Sequence, residues 1–325
     1  MHHYLFGGGE LGCLAMAKGV QVEGVVDVVP NYIGRTVGPF TCGYPWDIPR
    51  DHMAEGVVLL IAHEASAFAA AACLTAGMTY QWLDVLDLDA FDSALLVNSQ
   101  PELYRAAWSL ADDESRDTLC KMFYARLFHD PKDIVVSGYE RNNHPEVRPR
   151  GVCIDGGAYL GKSAREMLER GADRVIACEP AMAAFSELKQ QCIDGVDPWC
   201  VALGDRAVSQ RLSIGGWDER SNRLDTNLVG PGETVSVGTI DTIAATTPIG
   251  FIALNIEGAE LEALKGGAET IRRDRPGLAI SAYHKPSHLW EVIEAIKAIC
   301  SDYHLWVGHH SQYYTATTVY GRCDA

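Results

Sequence analysis

The sequence predicts an α/β protein with two parallel-sheet domains joined by a helical connector. Three observations carry this. Short apolar runs alternate with helix-period segments over residues 1–98, and the same alternation returns from Val152 onward. Strand–helix alternation at that spacing builds βαβ units and parallel sheets. The 325 residues exceed one ordinary domain, and a stretch of different character separates the two alternating halves. The expected divisions are 1–98, 99–150 and 151–325.

In the first part, His3–Phe6 reads as a strand, Gly9–Lys18 as a helix and Gly24–Val28 as a second strand. Val57–Ala62 follows as a strand, the Ala-rich Ala65–Ala76 as a helix and Met78–Leu83 as a strand. This is the pattern of a small Rossmann-like domain, short for a complete dehydrogenase. Ser99 to about Asp133 is mostly helical, with Leu110, Leu119, Phe123 and Leu127 as core candidates. Asp112 or Asp113 would start its second helix, since a short carboxylate accepts the free N–H groups of a first turn. In the last part Val152–Ile154, Val175–Cys178, Cys200–Leu203, Phe251–Ile256 and Leu278–Tyr283 read as strands. Ala181–Cys192, Ala259–Arg273 and Leu289–Ile299 read as helices. The second of these carries Leu261, Leu264, Ala268 and Ile271 on one face. Tyr303–Gly308 and Thr317–Tyr320 are expected to close the chain as an antiparallel pair.

Composition narrows the function. A net charge of −16 has the wrong sign for a phosphate-tracking surface or an anionic membrane, so neither nucleic acid nor a membrane is an expected partner. A small-molecule substrate is expected, and a homodimer stays open. No segment reaches the roughly 20 apolar residues that span a bilayer. Met1–Phe6 lacks the basic and apolar regions of a secretory signal, and the ten cysteines contain no C-x-x-C pair. Both point to a reduced, cytoplasmic protein.

The chemistry concentrates at Val152–Ser163, VCIDGGAYLGKS. An apolar strand ends at Asp155; Gly156, Gly157 and Gly161 then lead into a helix. Such a loop lies at the carboxyl edge of a parallel sheet, where these folds bind ligands. Two ligands compete for it. Gly156–Ser163 matches the G-x-x-x-x-G-K-S phosphate loop. That chemistry needs a second strand ending in Asp to hold magnesium, whereas Phe251–Ile256 carries Asn255 and runs into Glu257. Glu179, after the next strand, stands 24 residues beyond Asp155, a separation suited to gripping a ribose diol. Asp155 at an amino-acid end and Glu179 at a ribose is the logic of an S-adenosylmethionine site.

Several blocks then resemble the FkbM-type methyltransferase family, in the right order. They are IDGGAYLG, ACEP, VALGD (Val201–Asp205), GTIDT (Gly238–Thr242) and LNIEGAELEALKGG (Leu254–Gly267). SAYHKPSHLW (Ser281–Trp290), WVGHHS (Trp306–Ser311) and LADDESRD (Leu110–Asp117) are similar to one branch of the family. The resemblance implies a class I (Rossmann-like) methyltransferase sheet in the last part. It implies S-adenosyl-L-methionine as cofactor, held by Asp155, Gly156, Gly157, Gly161 and Glu179, with Asp205 near the adenine. Family acceptors include sugars and other small molecules, so O-methylation of a sugar, nucleotide-sugar or other hydroxyl follows. The family's lysine and aspartate before the EG element fall here on Ala253 and Asn255; Asn255 can orient a hydroxyl but supplies no charge.

Glu257, at a strand end before Gly258, either contacts substrate or cofactor or serves as a helix amino-terminal acid; Glu260, one turn on, reads as such a cap. His284, ending another strand, is the expected base, with polar cleft lining and a structural role as alternatives. One of His309 and His310 would face the cleft. No spacing is diagnostic of a metal site, so none is assigned. In the first part, Gly7, Gly9 and Gly12 form a G-x-G-x-x-G and Asp27 lies 20 residues after the first. That fingerprint fits a nucleotide or nucleotide-sugar, a structural turn, or NAD-linked oxidoreductase chemistry. A protein that binds nucleotides but has lost its chemistry is the remaining alternative.

Overall fold

The computed structural model describes residues 1–17, 19–61, 74, 76–82, 93–128, 134–213, 223–224, 232–311 and 314–324. Contacts divide the chain into two compact units, residues 1–93 with 124–133 and residues 94–123 with 134–325. The expected Ala-rich helix at 65–76 lies almost wholly outside the described residues.

The first unit is built on β1 (His2–Phe6), α1 (Glu10–Ala17), β2 (Gly24–Val26), the short pair β3 (Thr36–Val37) and β4 (Phe40–Thr41), α2 (Arg50–Glu55), β5 (Val57–Ile61) and β6 (Met78–Trp82). Its main sheet runs β2-β1-β5-β6, all parallel. Every residue of β5 is buried, as its unbroken VVLLI run requires of a central parallel strand.

Next come α3 (Ser93–Asn98), α4 (Gln100–Trp108) and α5 (Asp113–Phe128), which belong to the second unit except for Ser93 and the end of α5 from Tyr124. Asp112 caps α5, its Oδ1 accepting the N–H of Ser115 at 2.8 Å. Leu110, Leu119 and Phe123 are buried as expected, and Leu127 is half-buried. Then come β7 (Gly151–Gly156), α6 (Lys162–Glu169), β8 (Ala172–Cys178), α7 (Met182–Gln190), β9 (Val196–Trp199), β10 (Ala202–Leu203), β11 (Val208–Ser213), β12 (Arg223–Leu224), β13 (Gly232–Gly238), α8 (Ile240–Ala244) and β14 (Ile249–Leu254). The chain ends with α9 (Glu260–Gly266), α10 (Ala268–Asp274), β15 (Gly277–Ser281), α11 (His288–Ile299), β16 (His304–His309) and β17 (Thr317–Arg322).

Seven strands form one sheet in the order β16-β17-β15-β14-β7-β8-β9. From β15 to β9 neighbours are parallel; β17 is antiparallel to both β15 and β16. Strand β7 is the middle one of the five parallel strands, so the chain winds to one side through β8 and β9 and to the other through β14 and β15. That reversal opens a crevice at the carboxyl ends of β7 and β14. Cys153, Met167, Val175, Phe251, Ala253, Trp306 and Tyr320 pack one buried cluster against this sheet.

Three elements differ from expectation. Of the strand expected at Cys200–Leu203, only Ala202–Leu203 is extended, as β10, and it pairs with β13 in a separate four-stranded sheet, β10-β13-β11-β12; the edge strand of the large sheet is the unexpected β9. Within that sheet β11 and β13 are antiparallel partners, two strands that the sequence reading did not expect. The single helix expected over Ala259–Arg273 is broken at Gly266–Gly267 into α9 and α10. A Cβ on Gly266 would stand 2.1 Å from the carbonyl oxygen of Gly204, so the helix closes directly onto the backbone after β10.

Candidate functional site

The carboxyl ends of β14, β7 and β8 lie side by side, with Leu254 opposite Gly156 and Gly156 opposite Cys178. Asn255, Gly157 and Glu179 therefore leave three adjacent strands at one edge. They line a cavity of about 190 Å³ with Tyr159, Pro180, Leu203, Leu212 and Glu257. Gly157 sits in left-handed backbone, φ +78°, and a Cβ there would stand 2.0 Å from the carbonyl oxygen of Asn255. Only glycine fits that position.

Glu179 is buried, and each carboxylate oxygen is anchored by the backbone. Oε2 accepts the N–H of Tyr159 and Oε1 the N–H of Ala181, each at 2.9 Å. A carboxylate oxygen accepts more than one hydrogen bond, so remaining lone pairs can serve the cavity. Burial raises its pKa, opposed by those two N–H groups.

Asp155 lines a smaller adjoining cavity of about 60 Å³ with Arg141, Asn142, Ser163 and Asn255. Gly157 and Asn255 border both spaces. The sequence reading put Asp155 and Glu179 in one cleft; the fold sets them in two chambers that meet at Gly157 and Asn255. Burial pushes Asp155 up to about 6, while the Ser163 hydroxyl, donating to its Oδ2 at 2.5 Å, and nearby Arg141 pull the other way. Asn255 Oδ1 accepts from the hydroxyls of Ser281 at 3.0 Å and Tyr283 at 3.1 Å, and Arg141 donates to Ser281 and stacks over Tyr283.

The phosphate-loop alternative loses its parts. The Lys162 side chain is 91% exposed and lies 3.7 Å from Glu166, and the Ser163 hydroxyl is committed to Asp155. Acidic Glu179 and Glu257 on the cavity wall would repel a triphosphate. Gly161 caps α6 in left-handed backbone, and Gly156 ends β7.

Glu257 stands on the cavity wall with φ +56°, a conformation uncommon for a residue with a side chain and typical of functional turns. His284, expected as a base, sits behind it. The ring is buried and outside the cavity lining; Nδ1 lies 2.8 Å from Glu260 Oε1, and Nε2 lies 3.4 Å from Glu257 Oε1. Burial opposes the charged ring, but Glu260, Tyr283 and Glu257 outweigh it and hold the imidazole well above its usual pKa. A histidine already protonated is a poor acceptor of a substrate proton. Glu260 is more than a helix cap: it is fully buried and also meets Nδ1 of His288 at 3.3 Å.

Asp205 lies outside both cavity linings and binds Lys265 Nζ at 2.9 Å. His309 is buried against Thr317. His310 is held between the Tyr139 carbonyl and the Tyr320 hydroxyl, with burial lowering its pKa to about 4. Neither lines either of these two cavities, because the β16–β17 pair lies at the far edge of the sheet. The sequence reading missed Arg141, Asn142, Tyr159 and Leu212 as lining residues.

In the first unit, the fingerprint residues are engaged with each other. Asp27 is buried; its Oδ2 accepts the N–H of Gly8 at 2.7 Å and its Oδ1 those of Val28 and Val29 at 2.7 and 2.9 Å. Tyr32 packs on Gly9, and a Cβ on Gly12 would stand 1.9 Å from the carbonyl oxygen of Gly7. The motif thus closes its own strand–helix turn. Asp27→Ala is expected to destabilise this unit by about 2–3 kcal/mol, since it strips the acceptor from several N–H groups. Faster hydrogen exchange at the Gly8 and Val28 amides checks this; unchanged protection would refute it.

No curated protein matches the chain. Among solved structures it is similar to methyltransferase FkbM from Methylobacillus flagellatus KT, with 21% identity over 98% of this chain and 89% of that one and a TM-score of 0.76. That likeness shows a shared fold. An rRNA methylase from Streptococcus thermophilus aligns at 12% identity over 55% of this chain and 90% of that one, TM-score 0.35. A methyltransferase from Streptococcus mutans in complex with SAH aligns at 12% over 54% and 90%, TM-score 0.33. Residues 155–304, from Asp155 near the end of β7 to the start of β16, match the methyltransferase FkbM domain family.

Proposed function

We propose that this protein is an S-adenosylmethionine-dependent O-methyltransferase acting on a small-molecule hydroxyl, such as that of a sugar or nucleotide-sugar. The observation that carries the reading is Glu179: a buried carboxylate fixed by two backbone N–H groups at the wall of a cavity floored by an obligatory glycine. That arrangement suits a ribose diol, whose two hydroxyls donate. Leu203, Leu212 and Pro180 offer apolar surface for a purine. The 60 Å³ chamber is too small for a nucleoside but has room for an amino-acid head group, with Asp155 for the ammonium. The carboxylates also suit the positive sulfonium.

When bound, the cofactor supplies an electrophilic methyl group. The chain's own residues hold it, exclude water and orient the acceptor. Glu257, which lines the same cavity, would meet that acceptor.

Isothermal calorimetry on the full chain tests the reading. S-adenosylmethionine and its demethylated product should bind at pH 7.5. Affinity should fall between pH 7 and 5, because Asp155, held near 6, gains a proton and loses its charge. No binding by either compound would end the proposal.

A further inference from the structure

The buried Glu260 carries an inference that rests on the methyl-transfer reading and deepens it. Glu260 opens α9, directly beneath the turn that presents Glu257. Its Oε1 accepts the N–H of Ile256 at 2.9 Å, the residue before Glu257, as well as contacting His284 Nδ1 at 2.8 Å. On the far side of the ring, His284 Nε2 faces Glu257 Oε1 at 3.4 Å. Glu260, His284 and Glu257 thus form a file from the core to the cavity wall. A carboxylate on one ring nitrogen fixes the orientation of an imidazole and directs the other N–H outward. Here the outward nitrogen meets a second carboxylate rather than the open cavity.

We propose that Glu260 is a positioning residue. By gripping both the Ile256 amide and the His284 ring, it holds the Glu257 carboxylate at the cavity wall as the group that takes the acceptor's proton. His284 is the clamp between them. In the step assigned to Glu257, the acceptor oxygen bonds to the methyl carbon and the electron pair of the broken carbon–sulfur bond stays on sulfur. The hydroxyl proton moves to the Glu257 carboxylate.

The groups that govern this file come from every element packed on it. Glu260 comes from α9, His288 from α11, Glu257 from the turn after β14, and Tyr283 from beside His284 itself. Lys285 lies over Gly258, and Glu179 stands on the same cavity wall as Glu257.

Nuclear magnetic resonance on the full chain, labelled at histidine nitrogen and glutamate side-chain carbon, tests this without an acceptor. In the wild type the His284 ring should remain doubly protonated well above its ordinary midpoint. Glu260→Gln should lower its midpoint by one pH unit or more. A wild-type His284 midpoint at or below the ordinary value of about 6.5 overturns the proposal. So does a His284 midpoint that ignores Glu260→Gln. Should that variant not fold, Glu260→Asp draws the carboxylate back from the ring; the His284 midpoint must then fall, and no change refutes the proposal. Calorimetry with S-adenosylhomocysteine separates the two claims: a wild type that shows the titrations but does not bind the compound fails the methyl-transfer reading and retains the clamp.

Discussion

Glu179→Ala is expected to weaken binding of S-adenosylhomocysteine by at least about 100-fold, as a loss of two charge-assisted hydrogen bonds at roughly 1.5–3 kcal/mol each implies. The effect should be large because Glu179 is pre-placed. Its two oxygens are already tied to the amides of Tyr159 and Ala181, so a diol meets an oriented acceptor and the side chain has little freedom left to lose on binding. The fold should survive. The side chain borders a cavity, and water can reach the two amides once it is removed. A melting temperature within a few degrees of wild type, together with the lost affinity, is the expected pair of results. A loss below tenfold would show that Glu179 does not hold the ribose.

What the sequence displayed and what it hid separate along one physical line. Asp155 and Glu179 were legible because each ends an apolar strand in an alternating strand–helix run. Such runs make parallel neighbours, and parallel neighbours deliver their carboxyl ends to one edge. The antiparallel closing pair was legible from the same patterning. Features set by contacts distant in sequence were hidden. The helix break falls at the Gly266–Gly267 pair, a local breaker, but the close approach of Gly266 to the Gly204 carbonyl, 62 positions earlier, is not visible locally. The β11–β13 pairing was visible only as the alternation of Val235 and Val237 with Thr234 and Ser236, too short a run to outweigh the polar sequence before it. Arg141 reaches the Asp155 chamber from a segment with no periodicity at all.

Glu260 shows the same limit at the site. Read locally, an acid in the first turn of a helix is a cap, and its Ile256 contact is of that kind. Its other partners, His284 and His288, lie 24 and 28 positions away. Their meeting converts the expected base into a charged clamp and leaves Glu257 as the carboxylate on the wall. The fold class was therefore readable from period and order. The division of labour among the acids and the histidine was not, because it depends on which charges are buried together.

Glu260→Ala is accordingly expected to destabilise the protein by about 3–5 kcal/mol, the usual effect of removing one partner of a buried ion pair. For a unit of this size that corresponds to a fall in melting temperature of roughly 10 °C. The loss should depend on pH in a defined way. The Glu260 pKa is depressed, burial being outweighed by the His284 and His288 charges, so its contribution is present above the unfolded value near 4.3 and fades as pH falls toward the folded value. The His284 pKa is raised, so its contribution is complete below the unfolded value near 6.5 and fades as pH rises through the folded value. The gap between wild type and variant should therefore be widest between about pH 4.5 and 6.5 and narrow on either side. On the alkaline side it narrows because an imidazole stripped of its carboxylate can shed its proton and sit neutral in the core. Thermal melts across that range decide the matter. A gap that stays constant with pH would mean that Glu260 contributes packing and a backbone hydrogen bond, and that no charge is shared between it and His284.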